Sequence, residues 1–108
     1  MNANVLLLLA ASLVVSFNVS AKEHFITQKD IKFSTPIQVV KPGDVVTFKN
    51  MDTVVHNLIS LTEPIKFNFD DFRPGMTRTV AMSEVGVVDV ECSIHPGMKM
   101  SIFIWDKR

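Results

Sequence analysis

Beyond residue 21 this chain never holds an apolar pattern with the 3.6-residue period and length of an amphipathic helix. It offers instead a succession of short runs broken by turn residues. Residues 25–27, 31–33, 37–40, 45–49, 54–61, 76–82, 85–91 and 102–105 are apolar or mix apolar with polar positions. Lys41-Pro42-Gly43-Asp44 and Arg73-Pro74-Gly75 are strong turn signals, because Pro presets one φ and Gly tolerates a positive one. Asn50-Met51-Asp52 reads as a further turn, and residues 64–75 as an irregular connection. Within 45–49, Val46 and Phe48 share one face while Val45, Thr47 and Lys49 share the other. Short strands at this spacing predict an all-β sandwich or barrel.

The front of the chain is of another kind. Residues 5–17 are apolar but for small residues and serines, and Val19-Ser20-Ala21 supplies the small or branched residues that a signal peptidase reads. Charge begins abruptly at Lys22. Residues 1–21 are therefore expected to be a signal peptide, cut between Ala21 and Lys22, with residues 22–108 as one mature domain. The leader is atypical in having no Lys or Arg before its apolar run. The competing reading is a retained membrane anchor, but a run of about 13 residues is short of the roughly 20 needed to span a bilayer. Either way the domain is expected to be periplasmic or otherwise exported.

A domain of this size buries only about 60–65% of its unfolded surface, so it needs additional stabilisation. Small exported domains usually find it in disulfides. Here Cys92 is the only cysteine, and no internal disulfide can form. An unpaired exported thiol suggests intermolecular pairing or a functional thiol, and metal ligation would supply both a function and the missing stabilisation. Lys and Arg number 11, as do Asp and Glu, and no block of either sign stands out. Nucleic-acid binding thus gets no support, and membrane association is expected only if the leader is uncleaved.

Cys92 opens the run Cys92-Ser93-Ile94-His95-Pro96-Gly97-Met98-Lys99-Met100, which gathers a thiol, an imidazole and two thioethers. Strand parity puts Val88, Val90 and Cys92 on one apolar face, with Asp89 and Glu91 on the other. Taken alone, Cys92 reads as an inert buried thiol, His95 as a loop residue or a ligand, and His56 as a half-buried strand histidine. Together, two His, one Cys and a weak axial Met are the set a blue-copper site uses. Met98 and Met100 are both candidates for the axial position, and both share parity with Ile102 and Ile104, so either could instead fill the core. His24 has no partner in the sequence pattern and reads as solvated; Glu91 reads as a surface charge.

The segments Val39-Val40-Lys41-Pro42-Gly43-Asp44-Val45-Val46-Thr47-Phe48-Lys49-Asn50, His56-Asn57, and Cys92 through Met100 resemble the plastocyanin, amicyanin and pseudoazurin group of cupredoxins. The resemblance spans nearly the whole mature domain. It implies a Greek-key β-sandwich holding one type 1 copper at one end, with His56, Cys92, His95 and one Met as ligands. His95-Pro96-Gly97-Met98 is similar to the short ligand loop of amicyanins, which favours Met98; Met100 matches the longer loop of plastocyanins. Asn57 is similar to the family Asn whose backbone amide donates to the thiolate and whose side chain ties two ligand loops together. The chain departs from the family just before the cysteine, where Val90 and Glu91 replace the aromatic residues often found there.

The resemblance implies a monomeric one-electron carrier whose redox partner proteins dock transiently near His95. The charge balance predicts docking that depends weakly on salt. Another reading is a copper sequestration or delivery protein without electron-transfer duty, to which Met51, Met76 and Met82 lend little, being scattered and not clustered. A third is an interaction module that binds zinc or nothing. Enzymatic activity has least support, since no catalytic pair is evident and four protein ligands would leave copper no open position.

Overall fold

The computed structural model describes residues 21–107, so the expected signal peptide lies almost wholly outside the described residues. Nine strands are described: β1 (Glu23–Lys29), β2 (Lys32–Phe33), β3 (Ile37–Val40), β4 (Asp44–Asn50), β5 (His56–Ser60), β6 (Phe67–Phe72), β7 (Thr77–Met82), β8 (Gly86–Glu91) and β9 (Lys99–Ile104). They form a four-stranded sheet in the order β2-β1-β4-β7 and a five-stranded sheet in the order β3-β9-β8-β5-β6. β1 pairs parallel with β4 and β3 parallel with β9; the other pairings are antiparallel. No helix among the described residues is long and apolar enough to cross a membrane.

The two sheets bury their alternating apolar faces against each other. Ile26, Val46 and Phe48 from one sheet meet Leu58, Phe72, Val88 and Ile102 from the other, each with no exposed surface. Parity along 45–49 is as the sequence predicts for Val46 and Phe48. Thr47 is also buried, because its hydroxyl donates to Glu23 Oε2 at 2.7 Å and lies 2.9 Å from Thr79 Oγ1.

Residues 64–75, expected to form an irregular connection, contain the strand β6. Asp70 and Asp71 look like turn residues, but β6 is the edge of its sheet, where charged side chains are tolerated and even useful. The informative signal was the alternation of Phe67 and Phe69, half-buried, with exposed Asn68 and Asp70. Val54 and Val55, expected in a strand, are exposed residues of the loop that leads into β5.

His24 is likewise not solvated. Its Nε2 lies 2.9 Å from Asp44 Oδ2, and that carboxylate also accepts the backbone N–H of Lys41 at 3.0 Å and of Lys22 at 3.2 Å. Burial pushes the Asp44 carboxyl up, but the His24 hydrogen bond and the two backbone amides outweigh it and hold it below its ordinary 3.8.

Three connections use one device. In residues 41–44, 73–76 and 95–98 the N–H after Gly donates to the carbonyl before Pro, at 3.0, 3.0 and 3.1 Å, and the Gly φ is 93, 85 and 89°. That is the type II turn, with Pro at its second position and Gly at its third. The β1–β2 hairpin is less comfortable. Its two-residue turn has positive φ at both Asp30 (54°) and Ile31 (57°), the I′ signature that Asp-Gly satisfies best. A β-branched residue in this region costs on the order of 1–2 kcal/mol. Ile31 is largely exposed, so little burial offsets the strain. Ile31→Gly is expected to stabilise the domain by about 1 kcal/mol, raising the thermal midpoint by roughly 4–8 °C; an unchanged or lower midpoint in calorimetry would show the strain to be compensated elsewhere.

Candidate metal centre

Three side chains that are far apart in sequence converge at the end of the sandwich where β4 and β8 finish and β5 and β9 begin. His56 is the first residue of β5, Cys92 comes directly after the last residue of β8, and His95 lies in the loop to β9. Cys92 Sγ is 3.6 Å from His56 Nδ1 and 3.5 Å from His95 Nδ1, and the two ring nitrogens are 3.0 Å apart. A point equidistant from three atoms so spaced lies about 2 Å from each, within the roughly 2.0–2.3 Å typical of metal–imidazole and metal–thiolate bonds. The donors therefore fit a single ion.

The loop before β5 is built to aim His56. Buried Asn50 donates from its side-chain amide to the carbonyls of Val54 (3.0 Å) and Phe72 (2.8 Å), and its oxygen accepts Asp52 N–H at 2.8 Å. Asp52 in turn accepts from His56 Nε2 at 3.0 Å. This fixes the proton on Nε2 and leaves the Nδ1 lone pair facing Cys92. Sequence reading missed Asp52 by treating it only as a turn residue; the available signal was a carboxylate four residues before a candidate ligand.

Asn57 occupies the position the resemblance implied. Its backbone N–H donates to Cys92 Sγ at 3.3 Å. Its side chain makes a paired bridge, donating from Nδ2 to Ser93 Oγ and accepting Ser93 N–H at Oδ1, both at 2.7 Å. The β5–β6 ladder shifts register between His56 and Leu58, which frees the Asn57 amide from regular pairing.

The loop from Cys92 to Met98 closes on itself. Cys92 N–H donates to the Met98 carbonyl at 3.0 Å, His95 N–H to the Cys92 carbonyl at 3.3 Å, and Met98 N–H to the His95 carbonyl at 3.1 Å. Cys92 is on the buried face, as strand parity requires, and His56 is fully buried. His95 is only half-buried. Met98 and Met100 are both buried, but they differ in surroundings. Met100 belongs to the apolar core beside Val90, whereas Met98 stands outside that core in the ligand loop. Glu91 is half-buried and pairs across to Ile59 on β5.

With this geometry in place, comparison identifies the lineage. Residues 20–105 match the copper binding proteins of the plastocyanin/azurin family, and the chain belongs to that family. No curated protein sequence matches it. Among solved structures, it is similar to the Cu(I) form of an amicyanin variant (TM-score 0.71, 22% identity, covering 81% of this chain and 86% of that one). It is also similar to a purple cupredoxin from Nitrosopumilus maritimus (TM-score 0.68, 22% identity, covering 76% and 99%). A copper-containing nitrite reductase from Thermus scotoductus shares the fold (TM-score 0.74, 18% identity), but the chain spans only 27% of that protein's length. The protein is thus a copper-binding cupredoxin with a β-sandwich fold.

The Asp52 carboxyl is held down at about 2, against an ordinary 3.8, first by the Ile31 backbone N–H and then by His56. A depressed carboxyl contributes stability that is fully present above its unfolded pKa and lost as pH falls through its folded one. In metal-free protein, Asp52→Asn should therefore be less stable than wild type above about pH 4. The gap should narrow as pH falls toward about 2. Chemical denaturation across that range checks this, and a gap that stays constant with pH would refute it.

Proposed function

We propose that this protein is an exported, periplasmic one-electron carrier whose type 1 copper is held by His56, Cys92, His95 and Met98. The observation that carries the reading is the convergence of one thiolate and two imidazoles around a single point, with a buried methionine tied by backbone hydrogen bonds to two of their residues. When bound there, copper supplies a centre that cycles between Cu(I) and Cu(II). Everything else is done by the protein. Asn57 and Asp52 hold the thiolate and His56 in fixed orientation, so little has to move when one electron passes. Met98 is favoured over Met100 as the residue that would complete the ligand set, because Met100 is already committed to the core. Four protein donors leave no position for a substrate, which favours electron transfer over catalysis.

The route for the electron is the half-buried His95. Exposed Ile94 precedes it, and exposed Val54 and Val55 precede the other histidine ligand, giving this end an apolar surface. Redox partner proteins would dock there through a small, short-lived interface, with the domain acting as a monomer.

The test is spectroscopic. Cu(II) added to residues 22–108 should produce an intense visible thiolate-to-copper band that Cys92→Ser abolishes, and voltammetry should give a reversible one-electron wave. Met98→Leu should shift both band and potential. Met100→Leu should leave both nearly unchanged and cost less than about 1.5 kcal/mol of stability. A domain that takes up only Cu(I) or zinc and never colours would sink the electron-transfer reading. A spectral shift confined to Met100→Leu would transfer the fourth-ligand role to that residue.

A further inference from the structure

A second set of donor atoms gathers around Asp44, at the end of the sandwich away from the copper centre. β4 runs from Asp44 to Asn50, the residue that braces the His56 loop, so its length of about 20 Å separates the two ends. Asp44 Oδ2 is 2.9 Å from His24 Nε2, and Oδ1 accepts the Lys22 backbone N–H at 3.2 Å. The carboxylate needs a donor, so the His24 proton sits on Nε2. His24 Nδ1 then carries the lone pair, which the side-chain amide of Gln38 meets at 3.5 Å. Lys22 and Glu23 are exposed.

Cleavage between Ala21 and Lys22 changes what this corner can bind. The Lys22 nitrogen, a peptide N–H while the leader is attached, becomes a primary amine, and His24 becomes the third residue of the mature chain. A terminal amine, the next two peptide nitrogens and Nδ1 of a third-position histidine close three fused chelate rings around one ion. Four nitrogens in a plane suit Cu(II) and Ni(II). Nδ1 is the ring nitrogen such a chelate requires, and it is the one the Asp44 contact leaves free.

We propose that removal of the leader creates a second Cu(II) site, formed by the Lys22 amine, the backbone nitrogens of Glu23 and His24, and His24 Nδ1, with Asp44 orienting the imidazole. The inference rests on the reading of this chain as exported and cleaved. Binding sends two peptide protons and the proton of the ammonium to solvent, no electron moves, and uptake therefore strengthens as pH rises. Chelation requires residues 22–24 to leave the extended strand, breaking the Val45 N–H to Lys22 carbonyl bond at 3.0 Å and the pairing of Glu23 with Val45 and of His24 with Val46. Copper, at the top of the divalent affinity order, is the ion best able to offset that loss. The core does not depend on this corner, because the first fully buried apolar residue of β1 is Ile26.

The experiment compares the chain beginning at Lys22, which contains every described strand, with the same chain retaining Ala21, which moves His24 to the fourth position. Ni(II) is the probe. The Lys22 form should bind one equivalent as a yellow, diamagnetic square-planar complex, and the Ala21 form should bind it at least tenfold more weakly, as should His24→Gln. Added Cu(II) should develop the same Cys92-dependent band in all three. Equal Ni(II) affinity with and without Ala21, or nickel bound only with a thiolate band, would overturn the proposal. A separate mass measurement on protein exported with its leader locates the cut. A start other than Lys22 would overturn the processing reading and the site in the exported protein, while chelation by the Lys22 form would stand as measured.

Discussion

The fold's chemistry depends on Asn57 holding two distant loops in one place. The ligands sit where regular structure starts or stops: His56 opens a strand at a register shift, and Cys92 lies just past the end of another. The paired 2.7 Å hydrogen bonds between the Asn57 amide and Ser93 clamp them together, and the Asn57 N–H reaches Sγ at 3.3 Å. The bond to Sγ is buried and the pair to Ser93 is partly so, and a lowered dielectric strengthens them. Their effect is to hold the Cys92 sulfur and two imidazole nitrogens within 3.0–3.6 Å of one another. A site organised by protein hydrogen bonds holds its ligands in fixed orientation.

The same logic explains the unequal burial of the two histidines. His56 is enclosed and held at its far nitrogen by Asp52, whose carboxylate is fixed in turn by the Ile31 and Thr53 amides. His95 has no comparable clamp on its far nitrogen among the hydrogen bonds of the described residues, and it is half-exposed. One imidazole anchors the site and the other opens it. The strained Ile31 turn belongs to this arrangement, since its backbone N–H is the largest influence on the Asp52 carboxyl. Strain on a surface hairpin thereby supports the orientation of a buried ligand.

Much of this could be read from residues alone, and the remainder was hidden for identifiable reasons. Parity along Val88, Val90 and Cys92 placed the thiol on the core side because strand alternation is a strict rule. The Pro-Gly turns were legible because each residue presets its own dihedral. The family's spacing brought His56 and Asn57 to Cys92, which no local rule could have done across that stretch of sequence. Three features escaped. Strand β6 was hidden because Asp70 and Asp71 obey edge-strand rules that resemble turn rules. The Asp52–His56 and Asp44–His24 pairs escaped because each joins residues through tertiary geometry, and only the first has a helpful sequence spacing.

One turn, used three times, separates what local sequence determines from what the fold adds. Residues 41–44, 73–76 and 95–98 have the same Pro-Gly chemistry, the same positive glycine φ and nearly the same closing hydrogen bond. The residue that closes each turn has a different use. In the first it is Asp44, which gathers His24 and two backbone amides; in the second it is Met76, whose sulfur accepts the Arg73 N–H at 3.2 Å. In the third it is Met98, with His95 at the turn's first position and Cys92 bonded across it. The turn supplies a rigid reversal and nothing more. Its third copy becomes part of a metal centre because β8 delivers a buried thiol to its base and β5 brings a histidine and an asparagine from the facing loop.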